Sequence, residues 1–261
     1  MLESLLSFRR KTLIVFDLFG YFAHFRKHFS TTSSLSYTFP PRTTLCGIIA
    51  GILGYNRDEY YEVFSSENCK IGLQIMKSVR RLIQVVNYLM TDEDSIGLFK
   101  RTFRWLDKPA QIRLELITAD ERIPSEVHYR IFFHHEDAEL MKSLEDRMFS
   151  GKFYYPPSLG TANNLATIRY IGNVKTEFFQ PSGGIYVSTV IPLSVVKSIE
   201  PEKGLRIHRE ELVPADFFND RTLKRIESYI YEEAGKPIKV KIDGIAFKCE
   251  IDGVELIGTF M

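Results

Sequence analysis

The sequence predicts an α+β protein with a ferredoxin-like first part and a smaller, β-rich second part. Three observations carry this prediction. Strand-like runs alternate with two helical stretches over the first 150 residues, in the order of a ferredoxin-like domain. The remainder is rich in strand and turn residues, and the 261 residues suffice for one two-lobed unit or two modest domains. We expect a ferredoxin-like domain over residues 1–150 and a β-rich domain over residues 151–261.

The first strand is predicted over residues 11–25, which are rich in β-branched and aromatic side chains. Its apolar run, LIVFDLFGYFA, follows three basic residues as in a secretory signal. Asp17 interrupts that run and no small-residue cleavage site follows, so a buried strand fits better. A helix is predicted next over about residues 41–54, because two prolines precede it and Gly54 ends it.

Four further elements complete the first part. Residues 70–90 predict one or two strands, and residues 110–118, which alternate cleanly, predict another. Residues 127–133 predict a further strand. A helix is predicted over residues 136–149, with the apolar stripe Leu140, Met141, Leu144 and Met148.

A long protruding hairpin is predicted over about residues 79–110. Its middle, TDEDSIG, is polar and turn-like. Its returning arm interleaves two kinds of side chain: basic Lys100, Arg101 and Arg104, and aromatic Phe99, Phe103 and Trp105. Such an arm can follow an RNA backbone and contact bases. The alternative is a charged edge hairpin, which is common in sheet proteins.

The second part predicts more strands and one helix. A helix is expected over residues 219–233, with Leu223, Ile226 and Ile230 as its stripe. Asp-Gly pairs at residues 243–244 and 252–253 lie between alternating segments, which predicts a three-stranded meander.

The segment FRKHFSTTSSLSYTFPPRTTL, residues 25–45, is the first candidate for ligand binding. Arg26, Lys27 and Arg42 can meet phosphates. Hydroxyls such as those of Ser33 and Ser34 can bind phosphate or ribose. Backbone N–H groups around Arg42 to Thr44 open a helix N-terminus. The aromatic rings of Tyr37 and Phe39 can stack on bases. The alternative is a solvated Ser/Thr loop that caps the helix.

Composition narrows the function classes. The formal net charge is only +1, so binding of a nucleic acid would depend on local clusters of basic residues. Cys46, Cys69 and Cys249 form neither a metal-ligand pattern nor a disulfide framework, so we expect no cofactor or metal and a reducing, cytoplasmic location. No apolar run is long enough to span a bilayer, so no membrane partner is expected.

Several segments, taken in order, resemble one family. They are the strand LIVFDLFGYFAHFRK, the loop and helix STTSSLSYTFPPRTTLCGIIAGILG, the hairpin, the strand QIRLELI and the loop YYPPSLG. Together they resemble the fifth Cas protein family, the Cascade subunit that caps the 5′ handle of crRNA and belongs to the RAMP superfamily. The pattern S-x-T-F-P-P-R-T-T-L-x-G-I-I-A-x-I-L-G is similar to that of the type I-B branch.

The resemblance implies a ferredoxin-like domain with a thumb hairpin and a β-rich C-terminal part. It implies binding of the crRNA 5′ handle, contacts with the backbone subunit and the large subunit of Cascade, and action on target DNA through the assembled complex in antiviral defence. By position, the RNA-facing loop and helix start would contain Arg26, Lys27, Ser33, Ser34, Tyr37, Arg42 and Thr43. The thumb would contain Lys100, Arg101, Arg104 and Trp105.

Three functions stay open at this point. The favoured one is a non-catalytic RNA-binding subunit with no catalytic residue. The second is a metal-independent endoribonuclease, as in the type I-C branch of the family. The resemblance implies that such an enzyme uses a Tyr and a Lys-His pair on the thumb. Here residues 80–110 contain no histidine, although Lys27, His28 and Tyr37 can supply the same groups. The third is a generic ferredoxin-like module whose hairpin binds another protein.

Overall fold

The computed structural model describes residues 10–30, 33–89, 91–104, 110–121 and 125–261. It confirms the α+β class, with mostly antiparallel strands. In the described ranges the helices are α1 (Arg42–Leu53), α2 (Glu93–Thr102) and α3 (Ala138–Ser150). The strands are β1 (Arg10–Gly20), β2 (Phe25–Arg26), β3 (Ser36–Tyr37), β4 (Cys69–Ile75), β5 (Val79–Tyr88), β6 (Ala110–Ala119), β7 (Val127–His135), β8 (Thr167–Phe179), β9 (Ile185–Val187), β10 (Ile191–Pro192), β11 (Val196–Ile199), β12 (Ile207–Phe217), β13 (Leu223–Glu232), β14 (Ile238–Ile242), β15 (Ala246–Ile251) and β16 (Val254–Thr259).

A six-stranded sheet in the order β16-β15-β8-β1-β7-β4 forms the centre of the protein. Strand β1 lies inside it, paired antiparallel with β7 and β8. Both faces of β1 are covered, which explains its nearly continuous apolar run. Ile14, Phe16 and Leu18 belong to one buried cluster, whereas Leu13 and Val15 belong to another.

Helices α1 and α3 pack against one face of this sheet and against each other. Helix α1 ends where Gly54 takes a left-handed conformation, with φ of 89°, as its position in the sequence predicts. Helix α3 begins at Asp137, whose carboxylate accepts hydrogen bonds from the N–H groups of Glu139 and Leu140. Leu144 and Met148 are among the residues that α3 buries.

The second half of the chain contributes to the central sheet and builds two small ones. Strands β8, β15 and β16 extend the six-stranded sheet. The two smaller sheets have the orders β10-β13-β12 and β11-β14-β9. The division into two domains near residue 150 stays a prediction. No helix in the described part of the chain is long and apolar enough to cross a membrane.

The helix expected over residues 219–233 is wrong. Residues Leu223–Glu232 form strand β13, which pairs antiparallel with β12. Its last four residues, from Tyr229 to Glu232, are all buried, which does not match the helical stripe of Leu223, Ile226 and Ile230. The aromatic and β-branched side chains there suit a strand, and pairing with β12 overrides the helical spacing.

The predicted meander is half right. Asp252 and Gly253, both with positive φ, form the turn between β15 and β16 as expected. The other Asp-Gly pair does not join paired strands. Strand β14 pairs with β9 and β11, while β15 pairs with β8 and β16, so the chain crosses between sheets there.

The predicted hairpin exists, but its returning arm differs from the prediction. Strand β5 pairs with β6 over ten residue pairs, from Val79 with Ala119 to Tyr88 with Ala110. The turn-like TDEDSIG segment instead begins helix α2, because the Asp92 carboxylate accepts a hydrogen bond from the Ser95 N–H. The basic residues that were expected on a strand therefore lie on a helix.

Candidate nucleic-acid interface

A cleft of about 690 Å³ lies beside the start of α1. Four segments form its walls: α1, the loop after it, the loop around residues 155–160, and the end of β12 with the turn that follows. The polar and aromatic residues that line it include Arg26, His28, Thr43, Thr44, Asn56, Arg57, Tyr60, Tyr61, Tyr155, Ser158, Phe217 and Arg221. None of the described residues that line it is acidic.

Three arginines give the cleft a positive charge. Arg57 and Arg221 flank Asp58, with N–O distances of 3.5 and 3.4 Å. One partly exposed carboxylate is thus shared by two well-exposed guanidinium groups, and such surface pairs are weak. Arg26 is exposed and donates to the Ser30 carbonyl oxygen at 3.3 Å. The cleft can therefore attract an anionic chain.

Aromatic rings supply the second property of the cleft. The rings of Tyr60 and Tyr61 lie 4.7 Å apart, and Tyr61 contacts Phe217 edge-on at 5.7 Å. On the other wall, Tyr155 packs against Tyr154, and its N–H donates to the Gly51 carbonyl oxygen at 3.1 Å. Tyrosines beside arginines are the combination that stacks bases and screens phosphates in single-stranded nucleic acid.

Strained backbone marks the same region. Asp58 and Arg221 both have φ of 68°, a conformation that residues other than glycine rarely adopt. Asp58 and Arg221 are also partners in the ion pairs described above. Strained conformations of this kind cluster at functional sites.

His28 and Tyr37 meet at the inner end of the cleft. The Tyr37 hydroxyl donates to the Leu212 carbonyl oxygen at 2.5 Å, and Nδ1 of His28 lies 3.1 Å from the hydroxyl oxygen. Because the Tyr37 hydrogen is directed at Leu212, His28 donates to Tyr37. Burial, together with the nearby Glu210 carboxylate, raises the pKa of Tyr37 well above its usual value. Tyr37 is therefore held in its protonated form.

Several loop residues that were expected to bind RNA have protein partners instead. Lys27 forms an ion pair with buried Glu210 at 2.5 Å. Ser34 bonds to His24 through its hydroxyl and to β6 through its backbone. Ser33 lies half-buried with its hydroxyl 3.5 Å from that of Ser30. Tyr37 is fully buried, so its ring cannot stack on a base. Arg26 and Thr43 do line the cleft.

Arg42 takes a position that differs from the expected one. Its side chain is 1% exposed. Nη1 donates to Asp216 at 2.7 Å and to the Ala215 carbonyl oxygen at 3.1 Å, and Nη2 donates to the carbonyl oxygens of Phe64 and Cys69. A guanidinium enclosed in this way cannot reach a phosphate. Arg42 instead connects α1 to β4 and β12, and so holds together α1 and β12, which both line the cleft.

The thumb residues lie on helix α2. Lys100, Arg101 and Arg104 are exposed at and just after the end of α2, apart from the cleft lining. Trp105 lies outside the described residues. The middle of β6 touches the hydroxyl loop, the segment that contains Ser33 and Ser34. The N–H of Ser34 donates to the Arg113 carbonyl oxygen, and the N–H of Glu115 donates to the Ser34 carbonyl oxygen. The two candidate segments are thus physically connected at β6.

Several residues of the cleft were not predicted from the sequence. Arg57, Tyr60, Tyr61, Phe217 and Arg221 were not candidates, although all line it. The tyrosine pair was a usable signal, since adjacent tyrosines beside Arg57 combine stacking with charge. No sequence signal marked Phe217 and Arg221, because they reach the cleft only through the packing of β12 against α1.

Comparison with known proteins identifies the family. A sequence profile described as "CRISPR-associated protein (Cas_Cas5)" matches residues 13–177, more than half of the chain. The chain belongs to this Cas_Cas5 family. No curated protein matches the chain by sequence.

Solved structures resemble this Cas_Cas5 chain at low sequence identity. A CRISPR protein from Archaeoglobus fulgidus has 15% identity and a TM-score of 0.52, with 95% of this chain and 100% of that chain covered. A chain of a "CRISPR RNA-guided surveillance complex" has 11% identity and a TM-score of 0.46, with 87% and 91% covered. At these identities the first likeness supports the fold alone.

Proposed function

We propose that this Cas_Cas5 protein is a non-catalytic RNA-binding subunit of a type I CRISPR effector complex of the Cascade kind, similar to type I-B. It binds and caps the 5′ handle of crRNA and acts in the cytoplasm. The observation that carries this proposal is the cleft, which combines three arginines with tyrosine rings and lacks acidic lining residues among those described. That chemistry suits a single RNA strand, whose phosphates and unstacked bases need both kinds of contact.

The fold agrees with this proposal. The elements β1, α1, β4, β7, α3 and β8 follow the order strand-helix-strand-strand-helix-strand, and their strands lie side by side as β8-β1-β7-β4. We infer from this order a ferredoxin-like unit of the RAMP type. The β5–β6 hairpin, inserted between β4 and β7, is its thumb.

The thumb also offers a surface for protein partners. Ile83 and Val85, which share one face of β5, are each more than half exposed, and Tyr88 on the other face is about half exposed. Apolar side chains on a protruding strand commonly mark an interface. We assign this surface to the backbone and large subunits of the complex, through which target DNA is reached.

The experiment that tests this proposal uses repeat RNA from the same genome, labelled at its 5′ end. The purified chain is incubated with it in the presence of a chelator and run on native and denaturing gels. Retarded, intact RNA is expected. If neither the chain alone nor the chain co-expressed with the backbone subunit retains RNA, the proposal is wrong, and the protein-interaction module becomes the better explanation.

One observation favours a second candidate function, a metal-independent endoribonuclease. His28 lies in the cleft, 3.1 Å from Tyr37, and the Lys27 ammonium lies 5.1 Å from the Tyr37 ring centroid. With Nδ1 donating to Tyr37, the other ring nitrogen of His28 is left to accept a proton, as a general base requires. A single cut in chelator that His28→Ala abolishes would establish this activity. Because Lys27 already forms an ion pair with Glu210, it is not available to stabilise a phosphate, and the non-catalytic function is the better supported one.

A further inference from the structure

Strand β12 contains a bulge beside the cleft. Glu210 stands opposite Tyr229 and Val213 opposite Glu227, so β12 has one residue more than β13 between these pairs. The two residues of β12 between these pairs, Glu211 and Leu212, are both exposed, although Glu210 and Val213 on either side are buried. Leu212 has φ of 55°. Bulges with a left-handed residue usually place glycine there, because a side chain is strained in that conformation.

The surroundings impose this strain on Leu212. The Glu210 carboxylate accepts hydrogen bonds from the N–H and hydroxyl of Thr38, in addition to its ion pair with Lys27. Val213 is fully buried on the other side. The Leu212 carbonyl oxygen accepts the hydroxyl hydrogen of buried Tyr37. Glu210 and Val213, which flank the two exposed residues, are thus held in place, and so is the Leu212 carbonyl; strained conformations persist where the surroundings hold them in this way.

Leu212 exposes an apolar side chain next to residues that line the cleft, although it is not a lining residue itself. Leu212 is 47% exposed. The residue that bonds its carbonyl, Tyr37, lines the cleft, and so does Pro214, two positions later. Glycine at this position would remove the strain, and about half of the side chain that it deletes is exposed to solvent. An exposed leucine in a glycine conformation, beside a cationic and aromatic cleft, therefore points to a contact outside the protein.

We propose that Leu212 is an apolar wedge that inserts between two neighbouring bases of the single RNA strand and keeps them unstacked. This inference rests on the proposed function and adds a residue to it. Apolar side chains are used in this way to separate stacked bases in other nucleic-acid complexes. The tyrosines of the cleft would then receive a base that Leu212 has separated from its neighbour.

The test compares wild type with Leu212→Gly on a short unstructured RNA that carries 2-aminopurine at successive positions. Wild type is expected to raise the fluorescence of one position, because unstacking relieves quenching. Leu212→Gly is expected to lose that rise and to bind roughly three- to tenfold more weakly, since one apolar contact is lost. Its Tm should stay equal or rise, because glycine relieves the strain. Asp252→Gly is the matched control, since Asp252 has φ of 51° in a turn that does not line the cleft.

The outcomes separate this inference from the proposed function. If Leu212→Gly binds RNA and raises fluorescence as wild type does, the wedge is wrong and the proposed function stands. If wild type retains no RNA, alone or with the backbone subunit, the proposed function fails first. Should Leu212→Gly fold poorly, Leu212→Asn replaces it, because asparagine tolerates the left-handed conformation. Binding by Leu212→Asn equal to wild type would overturn the wedge.

Discussion

Arg42 and Asp216 form an ion pair in the core, although 174 positions separate them in the sequence. Asp216 also accepts from the N–H of Ser66 and from Arg225. Burial pushes the pKa of Asp216 upward, but Arg42 and these donors outweigh it and hold the pKa below its usual value. The pair thus joins the start of α1 to the end of β12, the two elements between which the cleft opens.

Replacing Arg42 by alanine should destabilise the protein by about 3–5 kcal/mol, because Asp216 would lose its buried ion-pair partner and keep only the Ser66 N–H and the partly exposed Arg225. Three buried backbone carbonyl oxygens would also lose their donor. Arg42→Lys should recover little, since one ammonium cannot match the fork that reaches four carbonyl and carboxylate oxygens. Urea unfolding followed by circular dichroism measures both. A folded Arg42→Ala protein of normal stability that has lost RNA binding would instead make Arg42 a phosphate contact.

The elements that were predicted correctly depend on local patterns. The paired prolines and Gly54 bound α1, and Asp137 begins α3, because caps act within a few residues. Strand β13 was mistaken for a helix because Leu223, Ile226 and Ile230 fit a helical spacing. Its true conformation is decided by pairing with β12, which no local pattern reveals.

The same distinction between local patterns and long-range contacts explains which site residues could be predicted. Arg26 and Thr43 follow from a basic loop and a helix start that are visible in the sequence. The roles of Lys27 and Arg42 are set by Glu210 and Asp216, which lie more than 170 positions away. Basic residues near a helix start predict phosphate ligands, but the packing of β12 places acidic partners beside Lys27 and Arg42.

Charge reversal of Arg57 and Arg221 together should weaken RNA binding and reduce its dependence on salt. Each phosphate contact on a single strand contributes about 0.7 to the slope of log K against log salt, so two losses should reduce it by roughly 1.4. Fluorescence anisotropy over a salt series measures this. Lys203→Glu, an exposed reversal outside the cleft, is the control. An unaltered slope in the double variant would exclude the cleft as the RNA path.

Charge reversal of Arg101 and Arg104 on the thumb should weaken binding of the repeat RNA without unfolding the protein. Both side chains are exposed near the end of α2. Glutamate there also opposes the helix dipole, so Arg101→Gln with Arg104→Gln is the matched variant that removes charge alone. Filter binding at moderate salt and a thermal melt are the measurements. Binding equal to wild type in both variants would assign the thumb to protein partners only.

The stability of the protein should fall as the pH drops below 6.5, in part through His24. Its ring is 3% exposed and joins the hydroxyl loop to β6, with Nδ1 2.7 Å from the Glu115 carbonyl oxygen and Nε2 3.0 Å from the Ser34 hydroxyl. Because a carbonyl only accepts, Nδ1 carries the proton and Nε2 accepts.

Burial lowers the pKa of His24 below its ordinary value of 6.5, so the unfolded chain takes up a proton before the folded protein does. The stabilising effect of neutral His24 is complete above pH 6.5 and is lost as the pH falls toward the folded pKa. Unfolding free energies of wild type and His24→Gln from pH 7.5 to 5 should converge toward low pH. A constant gap would show that His24 does not titrate in this range.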